Sequence, residues 1–238
     1  MKNFQRKGNT SLMSNNFSLT HLVRKPQTEQ TIKPPLLVLL HGIGSNEDDL
    51  FSLAPYLDGR FLIVSARAPY VMMAGAYAWF NIEFTREGII PDLEQAEESR
   101  RLLIAFIDEA VTAYDADPHS VYLMGFSQGA MMSLSVALIR PDKVSRVVAM
   151  SGRLPQHVIE MAASREALSR LEVFITHGAY DDVIPAENGR ACRDELERLS
   201  VPATYREYPM AHQVSMDSLR DISEWLKSSL DRQSIEKE

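Results

Sequence analysis

Ser127 stands between two glycines in "GFSQG" (125–129), after the apolar run "VYLM" and before a segment of helical spacing. A serine on a sharp strand-to-helix turn, with glycine two residues to either side, is the arrangement that projects a hydroxyl above a sheet for nucleophilic attack. A serine hydroxyl is not ionised at neutral pH. It needs a histidine to take its proton and a carboxylate to orient the imidazole. In folds built around such a turn the chain order is serine, acid, histidine. The segment "THGAYDDVIP" (176–185) offers Asp181 and Asp182, and "YPMAHQVSMDSL" (208–219) offers His212. Attack on an acyl carbon also creates an oxyanion that must meet preorganised backbone N–H groups. The turn supplies one from Gln128. The loop "HGIGSNEDDL" (41–50) supplies the other from Ile43, with Gly42 and Gly44 allowing close approach.

The remaining reactive side chains have plainer readings. His41 and His177 each end a strand before glycine, and the expectation is that they brace their loops. His21, His119 and His157 lie away from the three loops. The acidic run "DLEQAEE" (92–98) suits the first turns of a helix, where the dipole favours negative charge. Cys192 falls on an apolar helical stripe and reads as an inert buried thiol. The chain has no HExxH, no CxxC, no P-loop and no GxGxxG after a strand, so neither a metal nor another cofactor is expected.

The elements that must hold these residues alternate. Strand-like runs are expected at 17–23, 35–42, 61–66, 121–125, 147–151, 173–178 and 204–209. Between them, a long helix capped by Asp92 runs to about Tyr114, and another spans Gln128 to Ile139. Two more carry the stripes Gly189, Cys192, Leu196, Leu199 and Leu219, Ile222, Leu226, Leu230, the last with Ser215 as N-cap. Strand and helix in alternation imply an α/β protein with a mostly parallel, doubly wound sheet. The three loops would all leave the carboxyl ends of strands, where open α/β sheets place their sites. The segment Gly152 to Leu171, about 20 residues long, is too short for a separate cap domain. The stretch "APYVMMAGAYAWFNIEF" (68–84) would wall the site, with Trp79 and Phe80 as substrate-binding candidates.

At 238 residues, with 45% hydrophobic and 24% charged residues, the chain fits one globular domain. Residues 16–231 are taken as that domain, 1–15 and 232–238 as flexible tails. A net charge of −7 argues against nucleic-acid binding. No apolar run approaches the roughly 20 residues of a membrane span, and no apolar core follows the basic N-terminus as in a secretory signal. The expected setting is cytoplasmic without stable membrane association, and oligomeric state stays open, a homodimer included.

Taken together, "LLHGIGSNEDDL", "AWFNI", "VYLMGFSQGA", "HGAYDDVIP" and "MAHQVS" resemble the α/β-hydrolase superfamily from about Phe17 to Leu230. More narrowly they are similar to its phospholipase/carboxylesterase family, which includes acyl-protein thioesterases and bacterial esterases. The resemblance implies Ser127 as nucleophile, Asp181 as acid, His212 as base, and Ile43 and Gln128 as oxyanion donors. The expected activity is a cofactor-free serine hydrolase acting on small carboxylic esters, and the short segment 152–171 adds the expectation of short to medium acyl chains. A lysophospholipid or thioester substrate is the alternative, and a ligand-binding protein without turnover is the alternative of another class. Two departures stand out from the thioesterase branch. Asp182 occupies the place of its usual proline, and Ser45-Asn46 that of its aspartate.

Overall fold

A computed structural model describes residues 17–28, 32–86 and 88–236. The strands are β1 (His21–Arg24), β2 (Leu36–Leu40), β3 (Leu62–Ala66), β4 (Tyr70–Met73), β5 (Ala76–Ala78), β6 (Ile82–Thr85), β7 (Gly88–Pro91), β8 (Val121–Phe126), β9 (Arg146–Met150), β10 (Glu172–Gly178) and β11 (Ala203–Tyr208). The helices are α1 (Glu47–Phe51), α2 (Leu93–Ala113), α3 (Gln128–Ile139), α4 (Gln156–Glu160), α5 (Arg165–Leu168), α6 (Glu187–Arg198) and α7 (Met216–Glu236).

The central sheet has the order β1-β3-β2-β8-β9-β10-β11, with only β1 antiparallel to its neighbour. Along β2 the side chains divide by period two. Leu36, Val38 and Leu40 enter one core with α2 and α3, while Leu37 and Leu39 enter a second with α7. Both faces are therefore covered, which is why this strand reads as an unbroken apolar run. Helix α3 is buried from Gln128 through Leu138. Helix α7 instead turns only the stripe Leu219, Ile222, Leu226 and Leu230 inward, as its spacing predicts. Asp92 caps α2 by accepting the Gln95 N–H at 3.0 Å, and Ser215 accepts the Ser218 N–H at 3.2 Å.

Two expectations need adjusting. The first strand begins at His21, because Ser18 is held by Glu109 through both its N–H and its hydroxyl. Helix α7 continues to Glu236, so residues 232–236 belong to a helix rather than a tail. The region 70–91 forms two antiparallel hairpins, β4-β5 and β6-β7, outside the main sheet. The proposed tail 1–15 lies outside the described residues. Between β9 and β10 stand only the short helices α4 and α5, as the length of that segment predicts.

Candidate active site

The turn after β8 places Ser127 at φ 54°, ψ −114°, in a backbone region that costs energy for a side chain with a Cβ. Its N–H is tied to the Met150 carbonyl at 2.8 Å. The two glycines exist because the chain doubles back on itself. A Cβ on Gly125 would drive into the Gly129 carbonyl, and one on Gly129 into the Leu40 carbonyl. Those obstacles are backbone and cannot swing away. Gly129→Ala is accordingly expected to lose more than about 3 kcal/mol of stability. Denaturant melts would show this, and a variant within about 1 kcal/mol of wild type would contradict it.

His212, in the loop between β11 and α7, brings Nε2 to 3.0 Å from Ser127 Oγ and Nδ1 to 2.8 Å from Asp181 Oδ2. Its ring packs against Phe126 at 4.8 Å. Asp181 uses its other oxygen, Oδ1, to accept the N–H groups of Val183 at 3.0 Å and Ile184 at 2.8 Å. Burial works against the Asp181 charge. The hydrogen bonds from His212, Ile184 and Val183, with the attraction of His212, outweigh it and hold the carboxyl below the usual range. Asp182 is exposed and takes no part in this chain of bonds. A carboxylate so held fixes the proton of the imidazole on Nδ1 and leaves Nε2 free to accept from the serine.

Opposite the hydroxyl lies the loop after β2. A Cβ on Gly42 would stand 3.5 Å from Ser127 Cβ, so this loop passes directly by the nucleophilic turn. The N–H groups of Ile43 and Gln128 have no acceptor among the described residues. The loop is held from three sides. Gly44, at φ 79°, donates to Tyr77 O, and Tyr77 N–H returns a bond to Ser45 O, both at 2.8 Å. Glu47 pairs with Arg67, whose guanidinium stacks on the Tyr77 ring. His41 accepts the Ala68 N–H on Nε2 at 3.0 Å, which leaves Nδ1 to donate to Gly42 O at 2.7 Å. Burial lowers the His41 pKa, which keeps that neutral tautomer.

Trp79 and Phe80 part company. Trp79 is fully buried, its ring N–H donating to His41 O at 2.9 Å and its backbone N–H to Gln128 Oε1 at 2.7 Å. That makes it a brace for the loop rather than a surface for substrate. Phe80 does line a cavity, and its carbonyl accepts from Gln128 Nε2 at 2.7 Å. The amide of Gln128 thus clamps the 79–80 segment to the nucleophilic turn, a role that nothing in its spacing announces. His177 braces the acid's loop as expected, bonding Ile184 O at 2.7 Å. His21 bonds Tyr114 and Leu19 far from the loops. Cys192 is buried, and burial pushes its thiol up to about 12. Among the described residues no group of His, Cys, Asp and Glu could hold a metal ion. No helix among them is long and apolar enough to cross a membrane.

The profile of the phospholipase/carboxylesterase family matches residues 23–230. The chain belongs to the phospholipase/carboxylesterase family. That membership makes it an enzyme of the carboxylesterase class on the α/β-hydrolase fold. It is 28% identical to acyl-protein thioesterase 1 of Kluyveromyces lactis over 87% of this chain and 97% of that protein. Among solved structures, esterase PE8 superposes with a TM-score of 0.77 at 26% identity, covering 88% of this chain and 98% of that one. The Bacillus cereus carboxylesterase gives 0.76 at 26% identity, covering 88% and 94%.

Proposed function

We propose that this esterase cleaves soluble carboxylic esters of short to medium acyl chain through an acyl-enzyme on Ser127. The observation that carries the reading is the unbroken chain Ser127–His212–Asp181, beside which the N–H groups of Ile43 and Gln128 have no acceptor among the described residues. His212 Nε2 takes the Ser127 proton as Oγ attacks the ester carbonyl. The oxyanion that forms accepts from the N–H groups of Ile43 and Gln128. His212 then gives its proton to the departing alkoxide, and the acyl group stays on Ser127. A water molecule, deprotonated by the same nitrogen, attacks the acyl-enzyme. Collapse of the second intermediate frees the acid and returns the proton to Ser127.

The chain-length part of this reading rests on the short helices α4 and α5, which leave the site without a cap domain. On a panel of nitrophenyl esters, each added methylene that finds apolar wall should contribute up to ~0.8 kcal/mol, about fourfold in kcat/KM, until the wall ends. Nitrophenyl butyrate should be turned over in true solution. A profile confined to long chains, rising only above the micellar threshold, would instead indicate a lysophospholipid or lipase-like substrate. Thioesters are the second reading, favoured by the likeness to a protein named acyl-protein thioesterase 1. A matched ester and thioester pair in the panel separates the two. The substrate in either case is a small molecule met in a cytoplasmic setting.

A further inference from the structure

A cavity of about 530 Å³ opens beside the Ser127 turn, and none of Ser127, Asp181 and His212 lines it. Its size suits a small organic ligand. Three connections tie it to the Ser127–Gln128 turn. Met131 in its wall lies one helical turn after Ser127 and donates its N–H to the Ser127 carbonyl at 3.2 Å. Phe80 in its wall is the residue clamped by the Gln128 amide. Arg153 in its wall follows Gly152, where an added Cβ would stand 3.3 Å from the Ser127 carbonyl oxygen.

The walls are of two kinds. Phe80, Met131, Leu154 and Val158 supply apolar surface, while Arg100 and Arg153 supply guanidinium groups. The Arg100 side chain is only 6% exposed, with Glu97 as ion partner and Ser135 Oγ at 3.5 Å from Nη1. Glu97 is 40% exposed and is approached by Arg101 only at 3.8 Å, since Arg101 pairs with Glu98 at 2.7 Å. Glu195, the other acid in the wall, is bound to Arg198 at 2.7 Å. Arg153 has no ion pair or hydrogen bond among the described residues. Burial first, and then the charge of Arg100, hold the His157 pKa below the ordinary histidine value against the opposing pull of Glu160 and Glu97. A buried guanidinium with five donors, one carboxylate partner and one long hydroxyl contact retains donors for a second anion.

We propose that this cavity receives the far end of an ester that carries a carboxylate a few bonds from the scissile carbonyl, with Arg153 and Arg100 as its anchors. The inference rests on the ester-hydrolysis reading of the neighbouring turn and narrows it to anionic esters. Uncharged esters fill the apolar wall alone. Anionic ones add charge-assisted hydrogen bonds, which are stronger than neutral ones.

The test compares matched pairs in wild type, Arg153→Met and Arg100→Met. Mono-nitrophenyl adipate against its methyl ester places the charge on the acyl side. A 6-butyryloxyhexanoate against its methyl ester places it on the alcohol side. Wild type should prefer the anion of at least one pair by about tenfold or more in kcat/KM. In Arg153→Met that ratio should fall to about 1, with fluorophosphonate labelling certifying a folded site. Arg153 is half-exposed, so its variant keeps the test valid even where Arg100→Met fails to fold. No preference in either pair, or a preference that survives Arg153→Met, would overturn the inference. Nitrophenyl butyrate turnover reports separately on the ester-hydrolysis reading. Calorimetry of monomethyl adipate on Ser127→Ala decides the cavity without catalysis. Binding that disappears in Ser127→Ala/Arg153→Met supports the anion site, and no binding refutes it.

Discussion

Ser127→Ala is expected to lower kcat on nitrophenyl butyrate by about 10⁴- to 10⁶-fold, the range seen when a nucleophile that works as a unit with its base is removed. The fold should survive. The hydroxyl's recorded side-chain bond is to His212 Nε2, and the strain of the turn is held by the Met150 carbonyl and by Gly125 and Gly129 rather than by Oγ. Residual rate should match what the Ile43 and Gln128 donors and simple binding provide. Turnover within tenfold of wild type would mean that another group attacks the ester, and the account of the turn would fall.

The second large effect separates two adjacent acids. Asp181→Asn should cost about 10⁴-fold in kcat, because an amide donating to Nδ1 forces the imidazole proton onto Nε2 and leaves no acceptor for the serine. Asp182→Asn should change kcat by less than about threefold, as befits an exposed side chain outside the chain of bonds. Steady-state rates of the two variants check this, and equal losses would refute the assignment. The depressed pKa of Asp181 carries a second consequence. A carboxyl depressed in the folded state contributes stability that is complete above its unfolded value and lost as pH falls through the folded one. Asp181 should therefore stay ionised, and its contribution to stability stay in place, on mild acidification, which denaturant melts at falling pH would check.

Much of this site is legible in the order of residues. The glycines of "GFSQG" are demanded by backbone collisions local to one turn, so they show in the sequence. His41 and His177 read as braces because each ends a buried strand before glycine, and both serve as braces. The sheet follows for a similar reason. β2 is apolar throughout because both of its faces are covered, and β1 is less so because it sits at an edge.

Asp181 and Asp182 are indistinguishable by spacing alone. What separates them is which side chain turns inward to meet Val183, Ile184 and His212, a property of the folded loop. The hairpins of 70–91 escape notice because β4 is largely exposed and short, with no covered face to impose a pattern. Trp79 shows the limit of composition. An indole suits an acyl pocket and a buried brace equally well, and only the bond to His41 O decides. The cavity draws Arg100 from α2, Met131 from α3 and Arg153 from the segment after β9, positions that no local window brings together.

The most direct measurement is the site of covalent attachment. Wild-type protein treated with a fluorophosphonate, digested and mapped by mass spectrometry should carry one adduct, on Ser127. The label should reach about one per chain as ester hydrolysis falls to zero. An adduct on another serine, or loss of hydrolysis with Ser127 unlabelled, would contradict the acyl-enzyme account.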